Sequence, residues 1–273
     1  MTAETYMRTA RDGTRLFTHH WPHPAPVAAI VVVHGLGEHL GRYEHIGPQF
    51  VARGYDVRGT DTRGYGASEG PRAWTDSFDT LLDDIADDMG TATELGVPVI
   101  LLGHSLGGLE ALIYATSTGR PLPDLLVLSA PAIHNSLPSA QVIMARILAR
   151  IVPRMTLKNP VDPTQLSSDQ SVGERYVADP LVVQKSSFGF GTAVFSAFDR
   201  VPAAMAALSI PTLVTHGGLD RIVAPSVSEP LGDLPPVDRI VWPAYRHEGF
   251  NEDGGVKAVD TIDRWIRVHL AAA

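Results

Sequence analysis

The sequence predicts an α/β fold: a mostly parallel sheet of about eight strands, flanked by helices. Three observations carry this. Short β-branched runs recur that are too continuous in apolar residues to have one wet face, segments of helical period lie between them, and one strand-to-helix junction reads Gly-x-Ser-x-Gly.

Taken in order, segments 5–10 and 14–21 flank Arg11-Asp12-Gly13, where Asp-Gly supplies the positive φ of a tight turn, so an antiparallel hairpin is expected at one edge. After Pro22-His23-Pro24 comes the run 28–33, a strand covered on both faces. Further strands are expected at 55–58, 97–102, 125–128, 210–215 and 239–242. Phe78, Leu81, Leu82, Ile85 and Met89 share one helical face behind Asp76, a candidate N-cap. Val256, Val259, Ile262, Ile266 and Leu270 mark the last helix. Segment 133–201 breaks the rhythm: it shows helical pattern, five prolines and no convincing strand, so it reads as an insertion of short helices into a core of 1–132 and 202–273.

Composition narrows the function. The 273 residues are 44% apolar and 19% charged, enough for a sizeable core. A formal charge of −8 offers no basic field for nucleic acid, which is set aside as a partner. The absence of cysteine removes disulfides, thiolate nucleophiles and cysteine-bound zinc. Residues 1–8 carry no apolar targeting core, and no apolar run approaches the roughly 18 residues of a membrane span, so a soluble cytoplasmic protein is expected.

At 99–108 the run Val-Ile-Leu-Leu-Gly-His-Ser-Leu-Gly-Gly places Ser105 on a sharp turn between strand and helix. Such a turn pushes the hydroxyl out of the sheet, and the helix start offers N–H groups to a developing oxyanion. A serine hydroxyl needs a base, and the base an acid. Asp220 follows the strand-like run 210–215, and His247 sits in the loop after 239–242, so acid and base succeed Ser105 in the order this motif uses. His216 is a rival base; His19, His20, His23 and His269 read as solvated. The glycine-rich loop His34-Gly35-Leu36-Gly37-Glu38-His39 would bring the Leu36 N–H to the oxyanion opposite that of Leu106. A zinc site from His34, Glu38, His39 and His45 is set below this backbone role. Asp79, Asp83, Asp84, Asp87 and Asp88 read as a solvated helix face before a calcium site.

These motifs resemble the α/β-hydrolases of the monoacylglycerol lipase and lysophospholipase group, the serine aminopeptidase S33-like hydrolases. The likeness spans nearly the whole chain through His34 to His39 with Gly41-Arg42-Tyr43, Gly103 to Gly108, Leu128-Ser129-Ala130-Pro131, Tyr176 with Asp179-Pro180-Leu181, and Gly217 to Asp220. It implies an α/β-hydrolase fold with a helical cap at 133–201, a triad of Ser105, Asp220 and His247, and Leu36 and Leu106 as oxyanion donors. It also places Glu38, Arg42, His104 and Tyr176 at the polar end of the pocket; their plainer reading is structural pairing and packing. Neither cofactor nor metal is implied. Two departures weaken any inference of exact substrate: Asp61-Thr62-Arg63-Gly64-Tyr65-Gly66-Ala67-Ser68 lacks both histidines of the family's pattern, and Gly249 follows His247-Glu248.

The expected reaction is therefore hydrolysis of a long-chain monoacylglycerol through an acyl-enzyme. Lysophospholipase or broad carboxylesterase activity is the alternative, since a triad fixes the reaction and not the leaving group. An aminopeptidase ranks lower, and a non-catalytic small-molecule receptor is the reading from another class; epoxide chemistry is disfavoured by Ser at the elbow. In the cap, Val142, Ile143, Ile147, Leu148 and Ile151 form an apolar stripe beside Arg146, Arg150 and Arg154. Such a helix either docks peripherally on a lipid interface or packs on the core with solvated arginines.

Overall fold

In the computed structural model, which describes residues 2–135 and 137–272, the chain opens with the antiparallel pair β1 (Glu4–Thr9) and β2 (Arg15–Trp21). Met1, Ser136 and Ala273, which fall within the expected core and insertion spans, lie outside the described residues. The turn over Arg11-Asp12-Gly13 is the tight one expected: Gly13 N–H donates to Ala10 O, Ala10 N–H to Thr14 O, Thr14 N–H to Asp12 Oδ1, and Gly13 takes φ +88°.

The chain then alternates strand and helix through β3 (Ala28–Val33), α1 (Gly47–Val51), β4 (Tyr55–Thr60), α2 (Phe78–Thr93), β5 (Val99–His104), α3 (Leu106–Ala115) and β6 (Leu125–Ser129). The side chain capping α2 is Ser77, which accepts from Asp79 N, and not Asp76. Next come α4 (Ser139–Ile151), β7 (Thr156–Lys158), α5 (Gln170–Ala178), β8 (Lys185–Ser187), α6 (Phe188–Phe198) and α7 (Val201–Ala207). β7 and β8 pair with each other, so the expectation of no strand in this stretch fails; three residues apiece, all but Ser187 exposed or half-exposed, are too few for a readable period. The chain closes with β9 (Thr212–Gly217), α8 (Glu229–Gly232), β10 (Val237–Trp242) and α9 (Val256–Ala272). β5 and β9 start two residues later than their apolar runs because Pro98 and Pro211 have no N–H to give a ladder.

The central sheet has eight strands in the order β1-β2-β4-β3-β5-β6-β9-β10, parallel from β4 to β10 with the opening hairpin at its antiparallel edge. Side-chain alternation divides the core. Ala28, Ile30 and Val32 face a layer holding Phe50 of α1 and Ile262 and Ile266 of α9, while Ala29, Val31 and Val33 face Leu82 of α2 and Leu109 and Leu112 of α3. Every residue of α3 is buried, because that helix lies under α2, α6 and α7 as well as on the sheet. A satellite cluster of Leu166, Val172, Tyr176 and Val182 gathers between β6 and β9 of the sequence.

After β3 the chain builds β4 on one side and β5 on the other. The C-terminal ends of β3 and β5 thus bound the crevice where ligands bind in open α/β sheets. Among the described residues no helix is long and apolar enough to cross a membrane.

Two expectations about charge change. The acidic face of α2 is not simply solvated: Asp84 takes a two-pronged contact from Arg63, Asp88 and Asp87 pair with Arg8, and Asp83 pairs with Arg120. His19 and His20 are not solvated either. His19 is buried 3.5 Å from Asp61, and His20 Nε2 lies 2.8 Å from Asp56 Oδ2.

Candidate active site

Ser105 stands between β5 and α3 with φ +55° and ψ −115°, a conformation that a non-glycine residue holds only when its surroundings impose it. The surroundings are specific. Ser105 N–H donates to Ser129 O on β6, and Ser105 O accepts from Ala132 N–H and Gly108 N–H. The turn can be this sharp because Gly107 has no Cβ: one built there would lie 2.3 Å from Val33 O.

The structure brings the three expected residues together. His247 Nε2 lies 3.0 Å from Ser105 Oγ and His247 Nδ1 2.7 Å from Asp220 Oδ2, all three side chains being buried. Asp220 Oδ1 accepts the backbone N–H groups of Ile222 and Val223, which leaves Oδ2 for histidine. Burial alone would push the Asp220 carboxyl up, but donation from His216 and His247 and the backbone N–H of Val223 hold it well below the usual carboxylate range. It therefore stays ionised and can steady an imidazolium. His216, the rival base, faces Asp220 and not Ser105.

The loop after β3 lies against the nucleophile. A Cβ on Gly35 would be 3.1 Å from Ser105 Cβ and 3.0 Å from Glu38 Oε1, so any side chain here would press Ser105 and Glu38 aside by a few tenths of an ångström. Leu36 packs half-buried beside it, and Leu106 opens α3, where N–H groups have no partner within the helix.

Glu38, Arg42 and His104 line one small cavity of about 10 Å³, with Tyr43, Glu248 and Asn251, room for about one water. Arg42 Nη1 donates to Glu38 Oε2 at 2.6 Å, and Nη1 and Nη2 together grip Glu248 at 2.7 and 2.8 Å. Glu38 Oε1 takes Gly35 N–H at 2.6 Å and the Tyr43 hydroxyl at 2.8 Å, so this carboxylate shapes the loop next to Ser105. Burial pushes Glu38 up, but Arg42, His104 and His34 bring it down to about 2. His104 is the reverse case: burial and the neighbouring His247, ring centres 4.9 Å apart, push it down to about 4, so it is neutral. Tyr176 lies under the Arg42 guanidinium, 5.0 Å from ring centre to Cζ, and its buried hydroxyl has no partner among the described residues.

Sequence reasoning missed Glu248 and Tyr43. The available signal was indirect, since a buried arginine requires more than one acceptor. The candidate zinc residues go to separate partners: His34 lies between Gly35 O and Thr62 N–H, Glu38 bonds as above, His39 pairs with Asp179 at 2.8 Å, and His45 bonds Phe250 O. Both loops are tied to the segment between β6 and β9, through Val183 N–H to Gly37 O, His39 to Asp179, and Glu248 N–H to Leu166 O.

Comparison with known proteins follows the same lines. A family model described as serine aminopeptidase, S33, matches residues 24–254. A monoacylglycerol lipase of Mycolicibacterium smegmatis is 33% identical over 273 residues, 94% of this chain and 95% of that protein. An uncharacterized abhydrolase domain-containing protein of Dictyostelium discoideum is 31% identical across 100% of this chain, which spans only 30% of that relative's length. The crystal structure of a monoacylglycerol lipase from Paleococcus ferrophilus aligns with a TM-score of 0.83 at 32% identity, covering 93% of this chain and 99% of that one.

Proposed function

We propose, from the premise that this chain belongs to the serine aminopeptidase S33 family of α/β-hydrolases, that it is a serine ester hydrolase cleaving a long-chain monoacylglycerol to fatty acid and glycerol. The observation that carries this reading is the unbroken hydrogen-bonded chain from Asp220 through His247 to a Ser105 held at positive φ. His247 Nε2 takes the Ser105 proton as Oγ attacks the ester carbonyl. The Leu36 and Leu106 N–H groups receive the oxyanion, and Asp220 steadies the imidazolium, which returns its proton to the leaving glycerol oxygen. Water deprotonated by His247 then releases the acyl group.

Segment 133–201 acts as a cap over Ser105. A groove of about 530 Å³ runs between α4, α6 and α7, lined by apolar side chains such as Ile133, Val142, Phe195 and Met205 and edged by His134, Asn135, Ser226 and the Arg146–Asp199 pair, and lies within the usual size of ligand sites. It starts one residue beyond Ala132, whose N–H bonds Ser105 O, and suits a single acyl chain. The glycerol end falls to the Glu38, Arg42, His104 and Tyr176 side, where the Tyr176 hydroxyl has bonding capacity left. On α4 the expected stripe divides. Val142 and Leu148 are half-buried, while Ile143, Ile147 and Ile151, at helical spacing on one face, form an exposed apolar patch; Met144, Arg150, Met155, Leu157 and Lys158 are exposed as well. Arg146 is engaged by Asp199. The patch docks on an anionic lipid interface, and failure to float with anionic vesicles would remove that role.

The test is fatty-acid release from a long-chain monoacylglycerol, a matched lysophospholipid, a triacylglycerol and a short-chain ester, with Ser105→Ala as control. Preference for the monoacylglycerol is expected, with a loss in the variant on the order of 10⁶. Activity on the short ester alone would make the protein a carboxylesterase, and none at all would revive the receptor reading.

A further inference from the structure

His216 is the last residue but one of β9, beside the acid loop, with its ring wholly enclosed. Nε2 lies 2.9 Å from Val223 O and 3.3 Å from Asp220 Oδ2. Both neighbours only accept, so Nε2 carries a hydrogen. On the other side, Nδ1 lies 2.9 Å from Ser228 Oγ, which receives Arg239 Nε–H at 3.0 Å. Arg239 also donates through Nη2 to Pro225 O at 2.7 Å. The Ser228 hydroxyl also donates to Pro225 O at 3.1 Å, so what is fixed is the place of the ring and its Nε2–H, which is spread over a carbonyl and the same carboxylate oxygen that meets His247.

We propose that His216 is a positioning residue for the acid of this site, its Nε2–H holding Asp220 Oδ2 on His247 Nδ1 and tempering that oxygen's basicity. This rests on the reading of Ser105, His247 and Asp220 given above. An oxygen that accepts a second hydrogen is a weaker acceptor for the first, so removing the His216 donor should strengthen the hold of Asp220 on a His247 imidazolium. The other titratable groups around these rings are His104 beside His247, the Glu38–Arg42–Glu248 cluster behind His104, and Arg239 behind Ser228. None of them is altered in the variants that follow.

The experiment measures kcat and KM from pH 5 to 9 on a short-chain nitrophenyl ester for the wild type, His216→Leu, His216→Gln and Ser228→Ala, with Ser105→Ala beside them. His216→Leu should lower kcat roughly tenfold, the common scale for losing an outer hydrogen-bond partner, with KM unchanged and the acid limb of kcat/KM moved to higher pH. The Gln amide can supply a donor near the former Nε2, so His216→Gln should recover most of kcat and the wild-type limb. An unmoved limb in His216→Leu, or equal losses in the Leu and Gln variants, would overturn the proposal. If His216→Leu does not fold, Ser228→Ala should shift the limb the same way by less, and an unmoved limb there overturns it equally. Turnover surviving Ser105→Ala would remove the reading of the site and this role with it; an unmoved limb in a Ser105-dependent enzyme removes the role of His216 alone.

Discussion

Glu110 sits one turn into α3 from Ser105, 2% exposed and enclosed by the apolar layer under α2 and α6. Burial, with a smaller contribution from the negative charge of Asp84, pushes its carboxyl up to about 8 from an ordinary 4.5. The native chain therefore keeps a proton on Glu110 at neutral pH that the unfolded chain gives up. Below about 4.5 both states are protonated and nothing is lost; between about 4.5 and 8 the unfolded state is favoured progressively as pH rises; above about 8 the loss is complete. At about 1.4 kcal/mol for each pH unit, the loss is about 3 kcal/mol at pH 7 and about 5 kcal/mol above pH 8. Glu110→Gln removes the charge while leaving an amide whose unmet hydrogen bonds cost a pH-independent 1–3 kcal/mol or so, so the informative quantity is slope and not offset. Urea unfolding of both proteins at pH 5, 6, 7, 8 and 9 should give a stability difference that grows in the variant's favour by several kcal/mol across that range. Parallel curves would refute the reasoning, because they would mean Glu110 is ionised or hydrated in the native state.

Gly107→Ala places a methyl group 2.3 Å from Val33 O, and neither α3 nor β3 can yield without moving Ser105. Expected are a stability loss of at least about 1–3 kcal/mol in thermal unfolding and a kcat that falls further than KM rises. Arg42→Met leaves Glu38 and Glu248 buried and uncompensated, which should cost about 3–5 kcal/mol. Adding Glu248→Gln to that variant should restore part of the loss, and a double-mutant cycle in urea measures how much.

The sheet was readable because β3, β5 and β6 are covered on both faces, and only unbroken β-branched and apolar runs survive there. Ser105, Asp220 and His247 were readable because strand ends at a crevice and a sharp Gly-flanked turn leave local marks. What sequence could not show is pairing at long range. Arg42 and Glu248 are 206 residues apart, and nothing near either says that they meet. The α2 carboxylates had the composition of a wet surface, and only the fold brings Arg8, Arg63 and Arg120 onto them. His19 and His20 failed for the same reason, since Asp61 and Asp56 come from neighbouring strands and loops. β7 and β8 failed differently: three mostly polar residues each are held by their pairing and leave no apolar period.

The charge balance beside Ser105 bears on the choice of leaving group. Glu38 and Glu248 bring two negative charges to one Arg42, and His104 and His34, both pushed down by burial, add none in compensation. The polar end thus carries a net negative charge, which a glycerol tolerates and an anionic head group does not. Two like charges roughly 8 Å apart at an effective dielectric of about 20 repel by about 2 kcal/mol, or about thirtyfold in kcat/KM. Glu248→Gln neutralises that excess while keeping one acceptor for Arg42. The kcat/KM ratio of a lysophosphatidate to a monoacylglycerol of the same acyl chain should rise by about that factor, and taking the ratio within one protein cancels any general damage from the substitution. A ratio unchanged from the wild type would mean that head-group charge is screened by solvent at this end, and that selectivity between these esters lies in the groove proposed for the acyl chain.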